Sequence, residues 1–226
     1  MNWLLKRRIL LFLSAGLLIG AGIILNSNNQ MSKRQQVLKW FYPALMKAGR
    51  LLGSKEKHLV NKDMRQPLRS FYSGDITLTD GSQLSIDSLR GKKVFIVNTA
   101  SDCGYTAQYE SLQKLYERFE GKLVIIAFPA NDFKQQEKSD DKTIAEFCRK
   151  NYNISFPLAK KTTVIKGPAQ NPVFYWLTNS SSNGWCDQVP EWNFSKYLVN
   201  ENGILMHYFA AGISPLDPSV IKAIED

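Results

Sequence analysis

The chain has 226 residues, 44% of them apolar, which is enough for one domain with a substantial core plus an extension. Its net charge of +9 is unevenly placed: residues 1–70 carry 13 Lys and Arg against Glu56 and Asp63, whereas residues 71–226 carry 16 against 18 acidic residues. The near-neutral bulk argues against a nucleic-acid footprint. Three cysteines (Cys103, Cys148, Cys186) are too few for a disulfide-stapled scaffold, and with two distant histidines they match no zinc spacing, so no metal is expected.

Lys6-Arg7-Arg8 precede an apolar run, Ile9–Leu25, whose 17 residues sit at the lower limit for a membrane-spanning helix. They exceed the usual core of a cleavable export signal, so an uncleaved anchor is expected over 1–30, with signal cleavage as the alternative. A short basic head before an apolar run resembles an export signal. The domain beyond is therefore expected outside the cytoplasm, although basic residues on both sides leave its orientation weakly set. Residues 31–69 mix Trp40, Phe41, Leu45 and Leu51 with Lys39, Lys47 and Arg50. This reads as a basic amphipathic juxtamembrane linker; a helix packed on the following domain is the competing reading. Pro43 should bend or restart such a helix.

From residue 70 to 226 the texture is globular. Ile76–Leu78 and Leu84–Ile86 flank Asp80-Gly81, a hairpin signal. Val94–Val97 and Leu123–Phe128 are continuous apolar runs of the length of buried strands. Between them, Tyr109, Leu112, Leu115, Tyr116 and Phe119 recur at helical spacing, and Gly121 closes the helix. A second helix is expected after Ser139, running to about Tyr152. A second hairpin pairs Tyr197–Val199 with Leu205–Tyr208 around Asn202-Gly203, and a last helix is expected to begin near Pro215. This order describes a thioredoxin-like α/β sandwich, with a central mixed sheet flanked by helices and preceded by the transmembrane helix.

Cys103 falls between a buried strand and a helix, where backbone N–H groups and the helix dipole favour thiolate, while Asp102 beside it opposes. The net sign is open at this level. The stretch Val97-Asn98-Thr99-Ala100-Ser101-Asp102-Cys103-Gly104-Tyr105-Thr106 resembles the active-site motif of the glutathione peroxidases. Phe128-Pro129-Ala130-Asn131-Asp132-Phe133 with Gln136-Glu137 is similar to that family's second motif. Trp192-Asn193-Phe194 with Lys196-Tyr197-Leu198-Val199 is similar to its third.

The resemblance implies a peroxidase whose catalytic group is Cys103, Gln136, Trp192 and Asn193. The residue types suit that chemistry, because amide and indole N–H groups hold a thiolate and a developing oxyanion without adding a titrating group. It also implies hydrogen peroxide and organic or lipid hydroperoxides as substrates, and no cofactor. Cys148 occupies the place of the resolving cysteine in thioredoxin-dependent members, so a Cys103–Cys148 disulfide and a thioredoxin-like reductant are expected. Glutathione as donor, or a peroxide sensor and relay using the same residues, are the alternatives. Reaching Cys103 should require the segment around Cys148 to unwind.

Three positions depart from the family pattern. Ala130 stands where a cysteine is frequent, and Lys134 and Lys138 replace a Gly and a Pro, so the loop presenting Gln136 should differ in shape. The short stretch from Thr178 to Pro190 lacks the insertion of tetrameric relatives, which implies a monomeric catalytic domain. Cys186 has no assignable role. A Cys-x-x-Cys disulfide oxidoreductase is disfavoured, because Cys103-Gly104-Tyr105-Thr106 has no second thiol.

Overall fold

The computed structural model describes residues 31–51 and 57–226. Helix α1 (Lys33–Leu51) is followed by strands β1 (His58–Val60), β2 (Asp75–Thr77) and β3 (Gln83–Ser85), a 3-10 turn (Ile86–Leu89) and β4 (Lys93–Thr99). Then come α2 (Gln108–Arg118), β5 (Leu123–Pro129), α3 (Asp141–Tyr152), α4 (Pro172–Leu177), α5 (Ser180–Asn183), β6 (Lys196–Val199), β7 (Leu205–Phe209) and α6 (Pro218–Glu225).

The main sheet has five strands in the order β1-β7-β6-β4-β5, while β2 and β3 form a separate hairpin. Only β4 and β5 are parallel, from Lys93 opposite Leu123 to Thr99 opposite Pro129. Helix α2 is the crossover that a parallel pair requires. The sheet is therefore mixed and thioredoxin-like, as the run of elements leads one to expect.

Strand β4 is buried on both faces, and period-two alternation divides its side chains. Phe95 and Val97 join a core with Leu112, Leu115, Ile144, Phe147 and Val220 of the helices on one side. Val94 and Ile96 join Phe128, Phe174, Leu177, Tyr197 and Tyr208 on the other. Helix α3 begins where Asp140, its cap, accepts from Thr143 N–H over 2.8 Å, and it ends where Asn153 turns left-handed at φ 52°. Gly203 is needed on two grounds. It holds φ 77°, and a Cβ there would lie 2.6 Å from the Tyr72 ring.

The structure corrects several expectations. Among the described residues no helix is long and apolar enough to cross a membrane. The run Ile9–Leu25 lies outside them. Nothing in the described residues supports the transmembrane helix, the membrane as a partner or the extracytoplasmic placement that rested on it, and these are withdrawn. The described parts of the segment read as a linker form a helix and a strand. Helix α1 runs unbroken through position 43 and is tied to the domain through Arg34, Gln35 and Lys39, and its lysines and arginines would make a bilayer core costly. Strand β1, also inside that segment, pairs antiparallel with β7 as an edge of the main sheet. This pairing brings together the two histidines that are far apart in sequence, with His58 Nε2 3.1 Å from His207 Nδ1. The last helix starts at Pro218 rather than near Pro215, because Asp217 caps it and proline suits the first helical turn.

Candidate active site

Cys103 lies in the turn between β4 and α2, not at the helix start. Its side chain is buried, 1% exposed, and α2 begins only at Gln108. The turn is locked by Thr106. The Cys103 N–H donates to Thr106 Oγ1 over 3.0 Å, and that hydroxyl donates to the carbonyls of Ala100 (2.9 Å) or Cys103 (2.7 Å). The sulfur accepts from Tyr105 N–H at 3.4 Å.

Desolvation is the largest influence on the thiol's acidity. Burial pushes the Cys103 thiol up; the Tyr105 N–H, hydrogen bonds from Trp192 and Asn193, and the positive charge of Arg34 pull against it. Asp102 does not set the balance. Its carboxylate turns to Arg34, Nη1 to Oδ1 2.9 Å, so the neighbour that sequence marks as opposing the thiolate is engaged elsewhere.

Gln136 comes from the loop after β5. Lys134 and Gln135 hold φ 51° and 50°, a left-handed pair that shapes this loop where a glycine would be unstrained. Lys134 Nζ sits 5.4 Å from the Trp192 ring centre, and Phe133 packs against the same indole at 5.7 Å. Gln136 Oε1 accepts from Asn193 Nδ2 over 2.9 Å, and the Gln136 carbonyl accepts from Asp102 N–H over 3.0 Å. Trp192 and Asn193 precede β6 and are held by Asn98 of β4. Asn98 Nδ2 donates to the Trp192 carbonyl (3.1 Å), Asn98 Oδ1 accepts from Ser195 N–H (3.1 Å), and Phe194 adopts φ 68° in between.

Trp192 and Asn193 thus lie beside the Cys103 sulfur, and Gln136 is joined to them through Asn193. Cys148 does not join them. It is wholly buried inside α3, its thiol is pushed up to about 12 by burial, and neither it nor Cys103 is disulfide-bonded. Cys186 is also a buried free thiol, in the core layer on the other face of the sheet.

Sequence reading missed three supporting residues. Asn98 lies inside the first motif with no role assigned. Arg34 lies outside every motif. Glu137, only 1% exposed, accepts from both Ser101 N–H (2.7 Å) and Ser101 Oγ (2.8 Å) through Oε2, while its Oε1 has no protein partner. Burial raises its carboxyl to about 7; the Ser101 hydrogen bonds and Lys161 oppose that shift, and Asp102 adds to it. An acidic residue next to a motif glutamine was the only signal available.

Residues 71–178 match the family model for glutathione peroxidase. A glutathione peroxidase-like peroxiredoxin of Chlamydomonas reinhardtii is 37% identical over 157 residues, covering 68% of this chain and 96% of its own length. A glutathione peroxidase-like peroxiredoxin of Saccharomyces cerevisiae is 38% identical, covering 65% of this chain and 90% of its own. Among solved structures, the apo form of Trgpx superposes with a TM-score of 0.52 at 27% identity, covering 70% of this chain and 96% of that one. A DsbF homologue from Corynebacterium diphtheriae, with TM-score 0.53 at 13% identity over 76% of this chain and 95% of its own, shares the fold alone.

Proposed function

This chain belongs to the glutathione peroxidase family and is a thiol peroxidase, and we propose that Cys103 is the sulfur that attacks the peroxide. The observation that carries this assignment is the Asn193–Gln136 hydrogen bond, with the Trp192 and Asn193 side chains placed where they favour the Cys103 thiolate.

The chemistry runs in three steps. The Cys103 thiolate attacks the terminal oxygen of a hydroperoxide and the O–O bond breaks. The departing alkoxide takes a proton to leave as the alcohol, or as water from hydrogen peroxide, and Cys103 becomes a sulfenic acid. The Gln136 and Asn193 amides and the Trp192 indole supply donors for the charge that develops on oxygen. The Cys148 sulfur, deprotonated, then displaces hydroxide from the sulfenic sulfur, which leaves as water and closes a Cys103–Cys148 disulfide. A thioredoxin-like dithiol reduces that disulfide by exchange, becoming oxidised itself. The aromatic pair Phe133 and Trp192, packed together at 5.7 Å, supports a reading in which organic as well as inorganic hydroperoxides are substrates.

The test is hydroperoxide-dependent NADPH consumption, coupled either to thioredoxin and its reductase or to glutathione and its reductase. Turnover with the thioredoxin couple that vanishes in Cys103→Ser and in Cys148→Ser supports the full cycle. Turnover with glutathione that survives Cys148→Ser removes Cys148 from it.

A further inference from the structure

Helix α1 lies outside the segment that matches the family, yet it touches the elements that carry both redox cysteines. Its residues at positions 34, 35, 39 and 42 fall on one helical face. Arg34 pairs with Asp102 at 2.9 Å, and Gln35 Nε2 donates to the Ser101 carbonyl over 2.6 Å, so the N-terminal end of α1 grips the turn that holds Cys103. Met31 just before it is 6% exposed and packs in the same core cluster as Cys103 and Cys148.

One turn further on, Lys39 Nζ donates to the Asn151 carbonyl over 2.9 Å and lies 4.5 Å from the Tyr152 ring centre. Asn151 and Tyr152 end α3, one turn after Cys148. The Asn151 carbonyl belongs to the set that a helix C-terminus leaves without an intrahelical partner, and a cation there is favoured by the helix dipole. Lys39 therefore stabilises the folded last turn of α3. Asn151 Nδ2 reinforces that turn through the Phe147 carbonyl at 2.8 Å.

We propose that α1 is a strap across the redox site and that Lys39 is a positioning residue which restrains α3, so that the strap sets the rate at which Cys148 reaches the Cys103 sulfenic acid. This rests on the reading of Cys148 as the resolving residue. Cys148 is buried in an intact helix, and to displace hydroxide from Cys103 its turn must unwind; unwinding breaks the Lys39 contacts. Arg34 and Gln35 hold the other end and stay engaged while α3 opens. Through Lys39 the strap thus slows resolution, and this contact leaves peroxide attack alone.

The experiment mixes the reduced full chain rapidly with hydrogen peroxide and follows two signals: tryptophan fluorescence, and disulfide trapped by acid quench and alkylation. Lys39→Ala is expected to speed the concentration-independent phase about tenfold, the lower end of the weight of one charge-assisted hydrogen bond. The peroxide-dependent phase should stay within about twofold, and Lys39→Arg should restore the wild-type rate. Amide exchange over residues 147–152 of the reduced protein should quicken in Lys39→Ala and not in Lys39→Arg. A Cys103–Cys148 disulfide that forms in Lys39→Ala at the wild-type rate or more slowly overturns the strap. Absence of that disulfide in the wild-type protein overturns the resolving assignment instead, and the two failures are distinguished by mapping the oxidised peptides.

Discussion

Asn193 donates its side-chain N–H to Gln136 Oε1 over 2.9 Å, joining two residues 57 positions apart in the chain. The bond fixes which end of the Gln136 amide remains to donate. With its oxygen engaged, the NH2 group is the end that can meet a negative oxygen. The two side chains therefore act as a unit. Asn193→Ala and Gln136→Ala are each expected to lower the second-order rate constant for peroxide by about 10²-fold, the scale of one lost oxyanion donor. The double variant should lose much less than the product of the two. Stopped-flow peroxide titration of the three variants checks this; multiplicative losses would show two independent donors.

Burial holds the Cys103 thiol above its ordinary range, and only the thiolate attacks an O–O bond. The rate of peroxide attack is therefore expected to climb through neutral pH and keep climbing on the alkaline side, about tenfold per pH unit until the thiol titrates. Arg34→Ala removes the charge favouring thiolate and should displace the profile to higher pH. A plateau already reached at pH 6 would contradict the desolvated thiol.

Glu137 gives a stability effect of definite sign. Its carboxyl is raised in the fold to about 7 from an ordinary value of 4.5, chiefly by burial. A raised carboxyl favours the fold fully below its unfolded value, and that advantage is lost as pH rises through about 7. Glu137→Gln cannot ionise and still offers an oxygen to Ser101. Relative to the wild type it is expected to gain stability above pH 7, up to about 3 kcal/mol, and to gain little at pH 5. Denaturant unfolding at the two pH values measures the difference.

Asn98 is wholly buried and bridges β4 to the Trp192–Ser195 turn by two hydrogen bonds. Asn98→Ala is expected to cost about 2–3 kcal/mol, because it orphans a buried carbonyl and a buried N–H. It should also slow peroxide attack at temperatures where the variant is fully folded, since it loosens the backbone that carries Trp192. A variant that is destabilised but attacks peroxide at the wild-type rate would make Asn98 purely structural.

Much of this architecture is legible in the sequence, for local reasons. The β4 and β5 runs are uniformly apolar because both faces of a central parallel pair are covered. Asn202-Gly203 marks its hairpin because a left-handed residue is required there, and Asp140 and Asp217 cap helices through contacts two or three residues away. The motifs single out Cys103, Gln136, Trp192 and Asn193 through local residue patterns. What the tertiary structure alone decided depends on partners far away in the chain. The Asp102 charge is turned aside by Arg34, 68 residues earlier. The sign of the Cys103 shift comes from burial beneath distant segments, which no local motif encodes. Glu137 became a buried carboxyl only when Ser101 folded over it, 36 residues away. Strand β1 has three residues, too few for a periodic signal, and exists because β7 offers it an edge. Helix α1 has an amphipathic pattern that fits a lipid surface and a protein surface equally, since both reward burial of one apolar face. The contacts of Lys39 and Gln35 with the cysteine-bearing elements chose the protein.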